Sequence, residues 1–100
     1  MDFNFENELG LTSIWIDIYY DPGLQMITGK PKDRIIVSKG CPFLMMLHSV
    51  FVEYPEIYDR YPPGTLGLTL NGVSPDDFAT LEEDDKVCFT VLKNAYSMFQ

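Results

Sequence analysis

Residues 12–20 alternate strictly, with Ile14, Ile16, Ile18 and Tyr20 on one side and Trp15, Asp17 and Tyr19 on the other. Successive side chains of a strand point to opposite faces, so this β-branched, aromatic segment predicts a half-buried strand. Its apolar face needs a cover, and the chain supplies one. Between Pro42 and Tyr54, the residues Phe43, Leu44, Leu47, Val50, Phe51 and Tyr54 recur at helical spacing and are expected to face the sheet. Pro42 suits the first helical position, where a missing N–H costs nothing, and Pro55 sets the end. Met45, Met46 and Val52 carry the apolar character around the cylinder. A small domain does not bury both sides of its only helix, so neighbouring loops or a partner must cover the second side.

The remaining elements are short. Asp21-Pro22-Gly23 reads as a turn, and Leu24 to Lys32 as a loop or irregular hairpin broken by Gly29 and Pro31. A second strand is expected around Arg34-Ile35-Ile36-Val37. Four of the seven Lys and Arg residues (Lys30, Lys32, Arg34 and Lys39) crowd this stretch, as a solvated strand edge or a docking patch for an acidic loop. Residues 56–64 read as a connection. Leu66–Leu70 forms a strand, Asn71-Gly72 a type I′ turn, and Lys86–Val91 the closing strand with Val87, Phe89 and Val91 on one face. Residues 1–10 show no period, although Phe3, Phe5 and Leu9 could pin them to the body or to a partner.

One hundred residues, 46% of them apolar, suffice for one domain with a real core. A net charge of −8 disfavours nucleic acid and anionic membrane surfaces, and favours a protein partner with a basic surface. No run is long and apolar enough to span a membrane, and the acidic start lacks the basic region of a signal peptide, so a cytoplasmic protein is expected.

Chemistry-bearing residues are sparse. Cys41 and Cys88 are too far apart in sequence to suggest a disulfide framework, and one histidine, His48, cannot complete a nitrogen–sulfur metal site. Cys41 at a helix start could feel the dipole that favours thiolate, but a packing role is the simpler reading. His48 is expected at a core margin or an interface. Glu82–Asp85 lacks the alternating oxygens and glycine of a calcium loop, and Asp76-Asp77 reads as turn chemistry. No nucleophile triad or phosphate-binding glycine loop is visible, so no enzyme activity and no cofactor are expected.

The order strand, hairpin, strand, apolar helix, short strands is that of an α+β β-grasp domain, and several other folds share it. Four motifs narrow the choice. Lys39-Gly40-Cys41-Pro42 resembles the helix start of the MoaD/ThiS family, and Glu53-Tyr54-Pro55-Glu56 its helix exit. Leu70-Asn71-Gly72 matches its Val-Asn-Gly strand end. Leu81-Glu82-Glu83-Asp84-Asp85-Lys86-Val87 is similar to its last turn, with Asp84 where glycine is usual. The family comprises the molybdopterin-synthase small subunit and the thiazole sulfur carrier. The resemblance spans about residues 12–91 and implies a ubiquitin-like β-grasp, a mixed sheet packed on one main helix. Residues 1–11 are then an N-terminal extension and 92–100 a tail.

Family chemistry resides in a terminal Gly-Gly carboxylate, whereas the last glycine here is Gly72. The expectation is therefore a noncatalytic ubiquitin-like interaction module, an accessory subunit or adaptor of a larger enzyme complex. The alternatives are a divergent carrier or molybdopterin-synthase small subunit that has lost thiocarboxylate chemistry, with an adenylating enzyme as partner, or a regulator mimicking a carrier. A homodimer is also open. Expected partner-binding anchors are Trp15, Tyr19, Met45, Met46, Tyr96, Met98 and Phe99, since interfaces favour aromatic residues and methionine at their centres.

Overall fold

The alternating segment becomes an inner strand. In a computed structural model of the chain, which describes residues 12–61 and 64–92, β1 (Ser13–Tyr20) lies within a four-stranded mixed sheet. Its partners are β2 (Lys32–Ser38), β3 (Leu66–Leu70) and β4 (Lys86–Val91), in the order β2-β1-β4-β3. β1 runs antiparallel to β2, from Ser13 opposite Ser38 to Tyr19 opposite Lys32. It runs parallel to β4, from Asp17 beside Lys86 to Tyr20 beside Phe89, and β3 returns antiparallel on β4. The first and last strands of the domain thus form its central pair.

Two short helices occupy segments expected to be irregular. Asp21 ends β1 and caps α1 (Pro22–Thr28), its carboxylate accepting from the Gly23 N–H at 3.0 Å. Pro22 stands in the first turn, where its fixed φ is already helical, and Gly29 closes the helix with φ 77°. The same Asp-Pro-Gly chemistry that suits a turn therefore starts a helix. Asp21 also accepts from the Val91 N–H at 3.0 Å, fastening the start of α1 to the end of β4. After α2 (Phe43–Glu53), Pro55 opens α3 (Pro55–Arg60), which buries Ile57 completely.

The expected face of α2 needs one correction. Pro42 is the N-cap, so the helix proper starts at Phe43, and Phe43, Met46 and Val50 point into the core. Leu44 is 57% exposed where burial was expected, and Met46 is 1% exposed. Leu47, Phe51 and Tyr54 pack at the margin as anticipated. Opposite them lie Ile14, Ile16, Ile18 and Tyr20 from β1 and Val87 and Phe89 from β4, with Leu24, Ile57 and Leu81 closing the ends. Each such side chain contributes roughly 1.5–3 kcal/mol by leaving water.

Left-handed residues mark the turns. Asn71 and Gly72 have φ of 53° and 84°, the signature of a type I′ turn, and Leu70 and Val73 exchange hydrogen bonds across it. Asp84 has φ 64°, so it occupies the conformation glycine adopts freely. That fits its place where the MoaD/ThiS pattern has glycine.

Candidate functional site

Alternation places Trp15, Asp17 and Tyr19 on the sheet face away from α2, and the register adds their neighbours. Trp15 stands opposite Ile36, Asp17 opposite Arg34, and Tyr19 opposite Lys32. On the other flank Asp17 lies beside Lys86 and Tyr19 beside Cys88. The result is one continuous surface: an apolar corner of Trp15 and Ile36, 44% and 54% exposed, running into a charged centre and then Tyr19. Ile36 escaped the sequence reading because its position opposite Trp15 depends on the β1–β2 register.

Ion pairs hold this face still. Asp17 accepts from Arg34 Nη1 at 2.9 Å and has Lys32 Nζ at 3.6 Å. Burial alone would raise its carboxyl, but the Arg34 hydrogen bond and the two cations outweigh that and hold it below the usual range. Arg34 also reaches Asp84 at 3.3 Å, and its guanidinium lies 5.6 Å from the Trp15 ring centroid. Lys32 lies 5.4 Å from the Tyr19 ring. Cation–π contact of this sort lets one basic side chain orient an aromatic ring. The backbone of Trp15 is tied as well, donating to Glu83 Oε2 at 3.0 Å and accepting from the Asp84 N–H at 2.9 Å.

The other expected anchors do not join this face. Met45 is exposed on the outer side of α2 near Leu44 and Val52, on the opposite layer of the domain, and Phe78 is exposed on a loop beside the start of that helix. Met46 lies in the core, so the methionine pair is split between core and surface. Tyr96, Met98 and Phe99, like Phe3, Phe5 and Leu9, lie outside the described residues.

A second feature lies on the inner side of β2. A cavity of about 300 Å³ opens between that strand and α2, lined by Ile18, Ile35, Val50 and Tyr54 with Asp33 at its polar end. Asp33 accepts from the Tyr20 and Tyr54 hydroxyls and pairs with Lys30 at 2.8 Å. Burial and the Asp33 hydrogen bond push the Tyr20 phenol far above its ordinary value.

Reactive groups are few. Both cysteines are free, and burial raises the Cys41 thiol, the reverse of an activated thiolate. His48 is exposed on the outer face of α2 rather than at a core margin. Among the described residues no group of three metal-binding side chains converges, and no helix is long and apolar enough to cross a membrane.

A mixed sheet whose first and last strands pair in parallel at its centre, with a principal helix laid across one face, is the ubiquitin-like β-grasp of MoaD/ThiS-like proteins. No family profile and no curated protein matches the sequence. Solved structures do match. The crystal structure of the H. volcanii small archaeal modifier protein 1 superposes with a TM-score of 0.67 at 12% identity, covering 78% of this chain and 97% of that one. A Pyrococcus furiosus protein described as molybdopterin converting factor, subunit 1, gives 0.68 at 12% identity, over 78% and 97% of the two chains. The small archaeal modifier protein 1 of Methanosarcina acetivorans gives 0.66 at 14% identity, over 82% and 96%. At these identities the likeness is one of fold.

Proposed function

We propose that this chain is a noncatalytic ubiquitin-like interaction module, an accessory subunit or adaptor of a larger cytoplasmic enzyme complex. Its body is a domain at residues 12–91, flanked by the extension 1–11 and the tail 92–100. The observation that carries the reading is the Trp15–Ile36 corner, two large apolar side chains exposed side by side on a sheet face braced by the Asp17–Arg34 pair. An exposed apolar pair on a rigid scaffold loses little entropy on binding, and a central tryptophan is a common energetic anchor. The surplus of carboxylates elsewhere steers the module toward a basic partner.

The test is the size of the native assembly containing the chain in its own cells, compared for the wild type, Trp15→Glu and Met45→Glu. The reading expects a large assembly that Trp15→Glu abolishes and Met45→Glu leaves intact. A wild-type chain that elutes alone, or a Trp15→Glu chain still in its assembly, would overturn it.

The second reading, a divergent carrier or small subunit, draws on the structural likeness to the protein described as molybdopterin converting factor, subunit 1. It predicts an adenylating enzyme in the assembly and a thiocarboxylate on the chain by intact mass. Finding both would replace the first reading.

A further inference from the structure

The sheet has two edges, and they are not equally open. On β3 the turn closes one end, because Leu70 and Val73 exchange hydrogen bonds there, so only Leu66 and Leu68 still face outward. β2 is different. Tyr20 donates to the Pro31 carbonyl and Lys39 to the Thr12 carbonyl, so the odd-numbered residues of β2 bond to β1. The N–H and C=O groups of Lys32, Arg34 and Ile36 point outward, without a partner among the described residues. A row of this kind is a template for one more strand.

The two faces of that edge ask for different side chains. On the inner face Ile35 borders the cavity against α2, whose other apolar walls are Ile18, Val50 and Tyr54. On the outer face stand Lys32 and Arg34, both half-exposed and sharing the single carboxylate of Asp17. Lys32 meets it only at 3.6 Å, and an ammonium group can donate three hydrogen bonds. The charge balance points the same way. Residues 30–39 contain four cations and one carboxylate, within a chain whose net charge is −8. Cations along an edge discourage neutral and basic strands and leave acidic ones welcome. A second copy is a poor match, since pairing two β2 edges about Arg34 sets Arg34 against Arg34.

The geometry points to the β2 edge as the docking site for an extended acidic segment of a partner protein, added as a fifth strand. Its main chain bonds to Lys32, Arg34 and Ile36, its carboxylates lie beside Lys32 and Arg34, and its alternate apolar side chains cover the cavity against α2. Main-chain bonds then supply affinity, and the alternation supplies specificity. A one-residue slip sends carboxylates onto the apolar cavity, so the pattern selects its own register. This contact uses the sheet edge, and it holds whether or not the Trp15–Ile36 corner docks.

Amide hydrogen exchange on the purified full chain tests this, with an end-blocked Val-Glu-Val-Glu-Val-Glu-Val peptide at millimolar concentration as the probe. The peptide is expected to slow the Lys32, Arg34 and Ile36 amides at least about tenfold. The same peptide with lysine for glutamate, or with its glutamates in one block, leaves them fast. Ile36→Pro removes an outward N–H without breaking the bonds to β1, and should abolish the peptide's effect at Lys32 and Arg34. In that variant the Ile16 and Ile18 amides, which bond to β2, stay protected and report an intact sheet. No slowing by the acidic peptide, or equal slowing by the lysine or block peptide, overturns the proposal. So does fast-exchange protection of the three amides in the chain alone, and protection that grows with protein concentration would make a second copy the occupant.

Discussion

Tyr20 on β1 donates its phenolic proton to Asp33 on β2 across 2.7 Å, and the tyrosine that does so is 4% exposed. Asp33 thereby gathers Tyr20, Tyr54 and Lys30 around one carboxylate, joining β1, β2, the end of α2 and the loop after α1. Tyr20→Phe keeps the ring and its edge contacts with Tyr54 and Phe89 but removes the donor. A hydrogen bond to a charged group is worth about 1.5–3 kcal/mol, and two donors remain on Asp33. The expected loss is about 1.5 kcal/mol in urea unfolding, with no change in the slope of the transition.

The same carboxylate sets an acid limit. Burial works to raise the Asp33 carboxyl, but hydrogen bonds from Lys30, Tyr20 and Tyr54 outweigh it and hold it below its ordinary 3.8. Asp17 is lowered in the same sense. A depressed folded-state value means that the unfolded chain binds the proton more readily. The stability these groups supply is present above pH about 4 and is lost as pH falls through their folded values. Urea midpoints are expected to change little on this account between pH 7 and 5 and to drop toward pH 3. Asp17→Asn with Asp33→Asn should lower the midpoint at pH 7 and flatten the acid fall.

Adjacent methionines on α2 should respond differently to truncation. Met46 is buried against the sheet, so Met46→Ala leaves a cavity and costs about 2–4 kcal/mol. Met45 is 64% exposed, and Met45→Ala stays within about 0.5 kcal/mol. Equal costs in thermal or urea unfolding would contradict the placement of the helix.

Gly67 in β3 is held by close neighbours rather than by its backbone angle. A Cβ there would lie 2.6 Å from Thr90 Oγ1 and 2.8 Å from Leu92 Cδ2. Both are side-chain ends that can move, so Gly67→Ala is expected to cost about 1–2 kcal/mol rather than unfold the chain. Adding Thr90→Ala should return part of that loss in a double-mutant cycle of unfolding free energies.

Asp84 presents the opposite case. Its φ of 64° favours glycine, but its carboxylate reaches Arg34 from an exposed position. Asp84→Gly relieves the backbone and loses a solvated ion pair, and should fall within about 0.5 kcal/mol of wild type. Asp84→Val keeps the strain and adds a branched Cβ, and is expected to cost about 1–2 kcal/mol. Calorimetry of both variants separates the two effects.

Much of this architecture is legible in residue order, because β1, α2, β3 and β4 each carry a clear period. The two short helices were not, for a local reason. Asp21-Pro22-Gly23 serves a turn and a capped helix start equally well, and only packing of Leu24 into the core decides between them. In α3, a single inward residue, Ile57, gives no period to read. Leu44 and Met46 flank the stripe of Phe43, Leu47 and Val50 on opposite sides, so the helical period alone does not say which of the two faces the core. The candidate surface was half visible. Alternation alone put Trp15 and Tyr19 on one face, but Ile36 and the Asp17–Arg34 brace depend on strand register, which no local signal encodes.

Placing the first and last strands side by side has a consequence for synthesis. During translation the β1–β2 pair emerges with Ile14, Ile16 and Ile18 uncovered and one long edge vacant, and β4 (Lys86–Val91) is completed 53 residues after β2 ends at Ser38. At roughly 5–20 residues per second the ribosome holds that half-sheet open for several seconds. Such a nascent chain is a natural client for holdase chaperones, and a translational pause ahead of Lys86 would lengthen its exposure.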